Sequence, residues 1–299
     1  MNELERLESM LRANPASLSI EERRAASDAL GELFPLAADV SVEQVDALGV
    51  PAEWTSTPVA CAGEVILHLH SGGYVWGSLK GQRHLVSELG RAARMRTLAL
   101  EYRRAPEFPF PHALEDAVSG FQFLLESGFK PRQIAVAGAS AGAGLAVALL
   151  VRLKELGMHQ PACALLLSPW ADLTATADSY SRNAQRDPVL NREIMQFLAE
   201  QYLGKRPREM PLASPVFADL SGIAPLTIFV GSTEALLDDA VALTRAAGLA
   251  DVSVRLEIWP KMFHIWPIYH QVLAQGRQGV ARAGRLLREA VDAASTGEG

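Results

Sequence analysis

The stretch Ile134-Ala-Val-Ala-Gly138-Ala-Ser140-Ala-Gly142-Ala-Gly-Leu145-Ala-Val-Ala-Leu-Leu150 decides how this chain folds. Its apolar, β-branched opening (Ile134, Val136) reads as a buried strand, and the Ala- and Leu-rich continuation from Leu145 reads as a helix. Ser140 therefore falls on the turn between strand and helix, bracketed by Gly138 and Gly142. Glycines there let backbone segments approach where a Cβ would clash, and the sharp turn lifts the serine out of the sheet. The first turn of the following helix presents free N–H groups and a positive dipole end, which favour negative charge on a reacting oxygen.

Three other readings compete for these residues. The uncharged run from Ile134 to Val151 has the length of a membrane span, but it is rich in Ala and Gly and poor in large apolar side chains. Gly138, Gly142 and Gly144 spell GxxxGxG after a strand, which resembles the nucleotide loop of short-chain dehydrogenases. That loop normally opens a chain, and this one lies in the middle. The Tyr-x-x-x-Lys pair of those enzymes is also missing, because none of Tyr74, Tyr102, Tyr180, Tyr202 and Tyr269 has a lysine four residues on. The third reading is a tightly packed turn with an incidental serine, and only the rest of the chain decides against it.

With 299 residues, 49% of them hydrophobic, the chain suffices for one large domain or a domain with a lid. A net charge of −6 with dispersed Lys and Arg leaves no basic footprint for nucleic acid or an anionic membrane surface, so neither is expected as a partner. Cys61 and Cys163 lie in apolar, strand-like surroundings without a CxxC pair and read as buried thiols of a reducing compartment. The opening MNELERLESMLR is charged and helical, unlike the apolar core of a signal peptide, so the expected location is cytoplasmic.

In chain order, helical spacing appears at Glu3 to Leu11 and Glu21 to Phe34, the second preceded by Ser17 and Ser19 as candidate caps. Trp54 to Ala60 and Glu64 to His70 read as strands joined through Ala62-Gly63 in a hairpin. Helices and strands then alternate. Helices are expected at Gln82 to Arg94, His112 to Ser127 and Ala235 to Ala247, with a closing one at Gln278 to Ala293. Strands are expected at Arg96 to Tyr102, Gln133 to Ala137, Ala162 to Leu167, Leu226 to Val230 and Ser253 to Ile258. This is the rhythm of an α/β fold with a mostly parallel sheet and helices on both faces. It is broken by the N-terminal helices and by an insertion at about Thr174 to Leu212, with a helix near Arg192 to Tyr202. Extra elements at the carboxyl ends of strands lie over the ligand crevice, so the two are expected to form one cap. The expected division is 1–48 and 174–212 for the cap, and 49–173 and 213–299 for the catalytic domain.

A serine hydroxyl attacks only when a base takes its proton, an acid orients the base, and N–H donors stabilise the oxyanion. His70-Ser71-Gly72-Gly73, at a strand end, offers free backbone N–H groups that would join that of Ala141. His264 follows the last strand in a loop rich in aromatics. For the acid, Glu234 follows a strand end, with Asp238 and Asp239 one turn further on. Each feature alone has a structural explanation, but together they give the order serine, acid, histidine, each at a strand end, as in an α/β-hydrolase.

The motifs HLHSGGYVWGS (68–78), EYRRAPEFPFPHALED (101–116), GASAGAG (138–144), LSPWADL (167–173), PLASPVFADLSG (211–222), VGSTEALLDDA (230–240) and WPKMFHIW (259–266) resemble the hormone-sensitive lipase family of α/β-hydrolases, in its bacterial carboxylesterase branch. The likeness runs from about Val50 onward. It implies ester hydrolysis through an acyl-enzyme without metal or cofactor. Ser140 would be the nucleophile, His264 the base, Glu234 the acid, Gly72, Gly73 and Ala141 the oxyanion donors, and His70 a brace of their loop. Ser71 replaces the first glycine of the usual HGGG, Ala139 the common Asp before the serine, Ala143 a glycine after it, and Glu234 the more common Asp. Small, short-acyl esters are the expected substrates, in a pocket lined by Tyr74, Trp76, Trp170, Phe263 and Trp266. Lactones and acetylated metabolites would use the same machinery, and a non-catalytic binding protein would be expected to lack Ser140 or His264. Relatives often pair sheet edges, so a homodimer through Ser253 to Ile258 is a further expectation.

Overall fold

The computed structural model describes residues 2–13 and 19–296. Two capped helices open it. In α1 (Glu3–Arg12) Asn2 and Glu5 form a reciprocal capping box, and Ser19 and Glu22 do the same for α2 (Ile20–Leu33). Of the two serines expected as caps, Ser19 fills the role, and Ser17 lies outside the described residues. There follow β1 (Ser41–Asp46), β2 (Pro51–Ser56), β3 (Cys61–Leu69), α3 (Leu79–Ala93), β4 (Met95–Leu100), α4 (His112–Glu126) and β5 (Ile134–Ala139). The second half contains α5 (Ala141–Glu155), β6 (Cys163–Leu167), α6 (Ser179–Arg182), α7 (Arg192–Leu203), β7 (Leu226–Gly231), α8 (Leu237–Leu249), β8 (Val254–Trp259) and α9 (Ala274–Thr296).

The strands form one sheet in the order β1-β2-β4-β3-β5-β6-β7-β8. The first two pairings are antiparallel and the others parallel. Along β3, Val65, Leu67 and Leu69 face one apolar cluster and Ile66 the other, the two-residue alternation of a strand covered on both faces. Phe121, Leu124, Leu149 and Leu243 close one face, and Leu85, Leu89, Leu286 and Leu287 the other. α5 is buried on nearly all sides, which accounts for its uniform apolarity. No described helix is long and apolar enough to cross a membrane.

Two expectations are corrected. The strands around Ala62-Gly63 are not a hairpin: β2 pairs with β1 and β4, whereas β3 lies between β4 and β5. The real hairpin joins β1 to β2 through Leu48 and Gly49, both at positive φ, with Asp46 Oδ1 accepting from the Gly49 N–H at 2.6 Å. β1, Ser-Val-Glu-Gln-Val-Asp, is exposed along most of its length and so lacks the apolar alternation that would have announced it. The second correction concerns the thiols. Cys163 is buried, its thiol pushed up to about 12 by desolvation, but Cys61 is exposed: it pairs with Met95 at the start of β3, before a register shift, and the strand is covered on its faces only from Val65 on.

The N-terminal helices and the 174–212 segment meet. Arg12 donates to the Arg186 carbonyl at 3.0 Å, and Arg24 donates to the carbonyls of Val75 and Ala105 and pairs with Glu107. At the far edge, β8 turns Val254 and Leu256 toward the core and leaves Ile258 47% exposed.

Candidate active site

Ser140 stands between β5 and α5 at φ 54° and ψ −119°, a conformation that a non-glycine residue rarely adopts. Neighbouring backbone leaves no room for larger residues: a Cβ on Gly138 would lie 2.1 Å from the Gly142 carbonyl oxygen, and one on Gly142 2.1 Å from that of Leu69. Because β5 is central in the sheet, the serine sits at mid-sheet on the carboxyl ends of the strands, where α/β folds place their ligands.

Strands β7 and β8 end in register at Gly231 and Trp259, and the loops that leave them are stitched together. Thr233 Oγ1 donates to the Met262 carbonyl at 2.7 Å, and the Lys261 N–H to Ser232 Oγ at 2.9 Å. This sets Glu234 beside His264, with Glu234 Oε2 3.0 Å from His264 Nδ1 and His264 Nε2 2.9 Å from Ser140 Oγ. A carboxylate accepts from Nδ1–H, which leaves Nε2 to accept the serine proton. All three side chains are buried. Burial pushes the Glu234 carboxyl above its ordinary value, while the His264 imidazole and the Gly231 N–H, donating at 2.5 Å, pull it back.

The competing acids lie elsewhere. Asp238 Oδ2 accepts from the Ser179 N–H at 2.8 Å and Asp239 Oδ2 from the Asp172 N–H at 3.1 Å, so both fasten α8 to neighbouring segments. Burial, and then the nearby Asp172 carboxylate, push the Asp239 carboxyl well above the usual range.

Gly72 and Gly73 both have positive φ, and no hydrogen bond from the N–H of Gly72, Gly73 or Ala141 to another described residue is found. His70 holds their loop. Its Nδ1 lies 2.7 Å from the Ser71 carbonyl oxygen, its ring stacks on Tyr102 with centroids 3.9 Å apart, and the Tyr102 hydroxyl donates to the His70 carbonyl. Desolvation lowers this imidazole to about 3, so it stays neutral and donates through Nδ1. Ser71, the departure from HGGG, is accommodated by Gln82 of α3, whose amide nitrogen donates to Ser71 Oγ and whose amide oxygen accepts from the Ser71 N–H.

Of the five aromatics expected around a pocket, Tyr74 and Trp170 pack against the Ser140 helix, where a Cβ on Gly144 would meet the Trp170 carbonyl and the Tyr74 hydroxyl. Tyr74 also stacks on Tyr202 of α7, with centroids 3.8 Å apart. Trp76 lies under the Arg23 guanidinium. Phe263 and Trp266 do not join them: both are fully buried in the cluster beneath α3 and α9, Trp266 against Phe229 and Trp259 and Phe263 against Tyr269. Tyr74 and Trp170 are buried as well, but in the apolar cluster on the other face of the sheet.

Sequence reasoning missed Ser168, Asn183 and Asp187. Ser168 Oγ donates to Glu234 Oε1 at 2.8 Å, Asn183 donates to the Glu234 carbonyl at 2.7 Å, and Asp187 Oδ2 accepts from the Ala235 N–H at 2.8 Å. Ser168 lies within the motif LSPWADL, but no local pattern assigns a role to any of the three, because their partners are 48 to 66 residues away in the chain.

Comparisons with known proteins place the fold in a family. Residues 66–268 match the family described as alpha/beta hydrolase fold. An acetyl-hydrolase of Streptomyces hygroscopicus is 45% identical over 94% of this chain and 92% of its own length. The crystal structure of an esterase from the bacterial hormone-sensitive lipase family superposes with a TM-score of 0.94 at 43% identity, covering 97% of this chain and 98% of that one. That of the esterase EstE5 soaked with p-nitrophenyl butyrate does so at 0.94 and 40%, covering 97% and 99%. With its fold, the strained serine and the neighbouring histidine and glutamate arranged in this way, the chain belongs to the hormone-sensitive lipase family of α/β-hydrolases and is a carboxylic ester hydrolase.

Proposed function

We propose that this enzyme hydrolyses short-acyl esters through a covalent acyl-serine. The observation that carries the reading is the unbroken chain of contacts from Ser140 Oγ through His264 to Glu234, at 2.9 and 3.0 Å. Ser140 Oγ attacks the ester carbonyl while His264 Nε2 takes its proton, and Glu234 stabilises the resulting imidazolium. The N–H groups of Gly72, Gly73 and Ala141 receive the negative oxygen of the tetrahedral intermediate. As that intermediate collapses, the C–O bond to the alcohol breaks and His264 returns the proton to the leaving alkoxide. Water repeats the sequence on the acyl-enzyme and releases the carboxylic acid.

The preference for short acyl groups is supported by α7, which lays Leu198 against the oxyanion loop so closely that a Cβ on Gly73 would lie 2.5 Å from Leu198 Cδ1. In this reading α1 and α2 act together with residues 174–212 as a cap over the site, a shorter N-terminal part than 1–48 because Ser41–Asp46 is the edge strand β1 of the sheet. The name of the Streptomyces relative points to the same substrate size. A cytoplasmic location belongs to the proposal and is supported by the free thiols of Cys61 and Cys163. Two measurements test the reading. Phenylmethylsulfonyl fluoride should abolish activity with a single adduct that mass spectrometry locates on Ser140. Across p-nitrophenyl esters, kcat/KM should fall by at least about tenfold from butyrate to decanoate. An adduct elsewhere with activity lost, or decanoate turned over as fast as butyrate, contradicts it.

A further inference from the structure

We infer that Ser168 is a positioning residue that orients Glu234 and the backbone beyond His264 through one buried hydroxyl, an inference that rests on the catalytic roles proposed above. Ser168 follows β6, is fully buried, and has φ 50°, in the left-handed region. Its own N–H donates to the Phe229 carbonyl at 2.7 Å, which anchors it to the neighbouring strand β7. Its hydroxyl works in two directions, donating to Glu234 Oε1 at 2.8 Å and accepting from the Ile265 N–H at 3.1 Å.

Those two partners are the ones that matter for proton transfer. Glutamate has one more rotatable bond than aspartate, so its carboxylate must be fixed before Oε2 can face His264 Nδ1. Oε1 is fixed by two donors, Ser168 Oγ–H and the Gly231 N–H at 2.5 Å, and Oε2 is left to the imidazole. Ile265 directly follows His264 and has φ 49°, so capture of its N–H sets the direction in which the chain leaves the base. Both contacts are made away from bulk solvent, where an unpaired carboxylate oxygen or N–H is costly. The hydroxyl's hydrogen bonds go to Glu234 and Ile265 and not to Ser140, so it acts on the reaction through Glu234 and the His264 loop.

The test is a double-mutant cycle on the full chain, with kcat and KM for p-nitrophenyl butyrate and Tm measured for wild type, Ser168→Ala, Glu234→Gln and the double variant. Ser168→Ala is expected to lower kcat by about 10- to 100-fold with KM within about threefold of wild type. In the Glu234→Gln background the same substitution should cost at least about fivefold less in kcat, because the carboxylate it positions is gone and only the Ile265 contact remains to be lost. A kcat for Ser168→Ala within about threefold of wild type overturns the inference, as does an equal loss in both backgrounds, which marks a general structural role. Ser168→Gly, compatible with the left-handed backbone, serves if the alanine variant is unstable. If neither variant folds by circular dichroism, Ser168 is a stability residue and the inference falls. If Glu234→Gln itself keeps kcat within about tenfold of wild type, the proposed triad fails and takes this inference with it. A dead Glu234→Gln beside a fully active Ser168→Ala sinks the inference alone.

Discussion

A carboxylate can support a catalytic imidazole only from the side away from the nucleophile, and position along the chain does not say which acid gets there. Glu234 and Asp238 are one helical turn apart, but Glu234 meets His264 Nδ1 whereas Asp238 meets the Ser179 backbone. Glu234→Gln is therefore expected to lower kcat by about three to four orders of magnitude, the scale found when a triad acid is neutralised. Asp238→Asn should stay within about tenfold of wild type and act mainly on Tm. Steady-state kinetics on the two variants, checked for intact fold by circular dichroism, separate them, and the reverse ranking would show that the contacts seen here are not those used in turnover.

Among the secondary-structure elements, α7 is the one packed on the loop of Gly73 and Tyr74, and the proposed acyl preference rests on it. Its buried face carries Leu198 and Tyr202 onto the loop of Gly73 and Tyr74, and its Asn191 cap, accepting from the Ile194 N–H at 2.8 Å, fixes where the helix begins. Leu198→Ala should enlarge the space over Gly73 and raise the ratio of hexanoate to acetate kcat/KM by about tenfold, at a stability cost of about 2–4 kcal/mol for a buried leucine. A p-nitrophenyl ester series with a urea titration measures both, and an unchanged ratio would place the acyl group elsewhere. The 174–212 segment is also tied to the acid loop through Asn183 and Asp187.

On the scale of the whole molecule, the buried acids link stability to pH. Asp239 is held well above its ordinary carboxyl value by burial, so the folded state keeps a proton that the unfolded chain releases near pH 4. The stabilisation is complete below that pH and is lost as pH rises toward the elevated folded value. Glu234 is shifted in the same direction, which makes the difference between variants the cleaner measure. Asp239→Asn should flatten the fall of Tm above about pH 4 and raise Tm at pH 7 by about 2–4 °C. Scanning calorimetry from pH 4 to 8 checks this, and parallel curves for variant and wild type would show that Asp239 does not carry the linkage.

The sequence by itself determined whatever depends on local chemistry. The glycines around Ser140 announce a turn that tolerates no side chain at Gly138 or Gly142, and the apolar runs of β5, β6 and β7 announce strands buried on both faces. The chain order of serine, acid and histidine at successive strand ends was equally visible. Tertiary structure alone decided what depends on distant partners. The neighbours of β3 follow from which strands bury its two faces, and the polar edge strand β1 carries no pattern of its own. The use of Phe263 and Trp266 as core follows from where the chain turns beneath α9. The roles of Ser168, Asn183, Asp187 and Gln82 are not legible in the sequence, even though Ser168 sits in the motif LSPWADL, because a polar residue is recruited by whichever buried donor or acceptor the fold brings to it, and that meeting exists only once the sheet has formed.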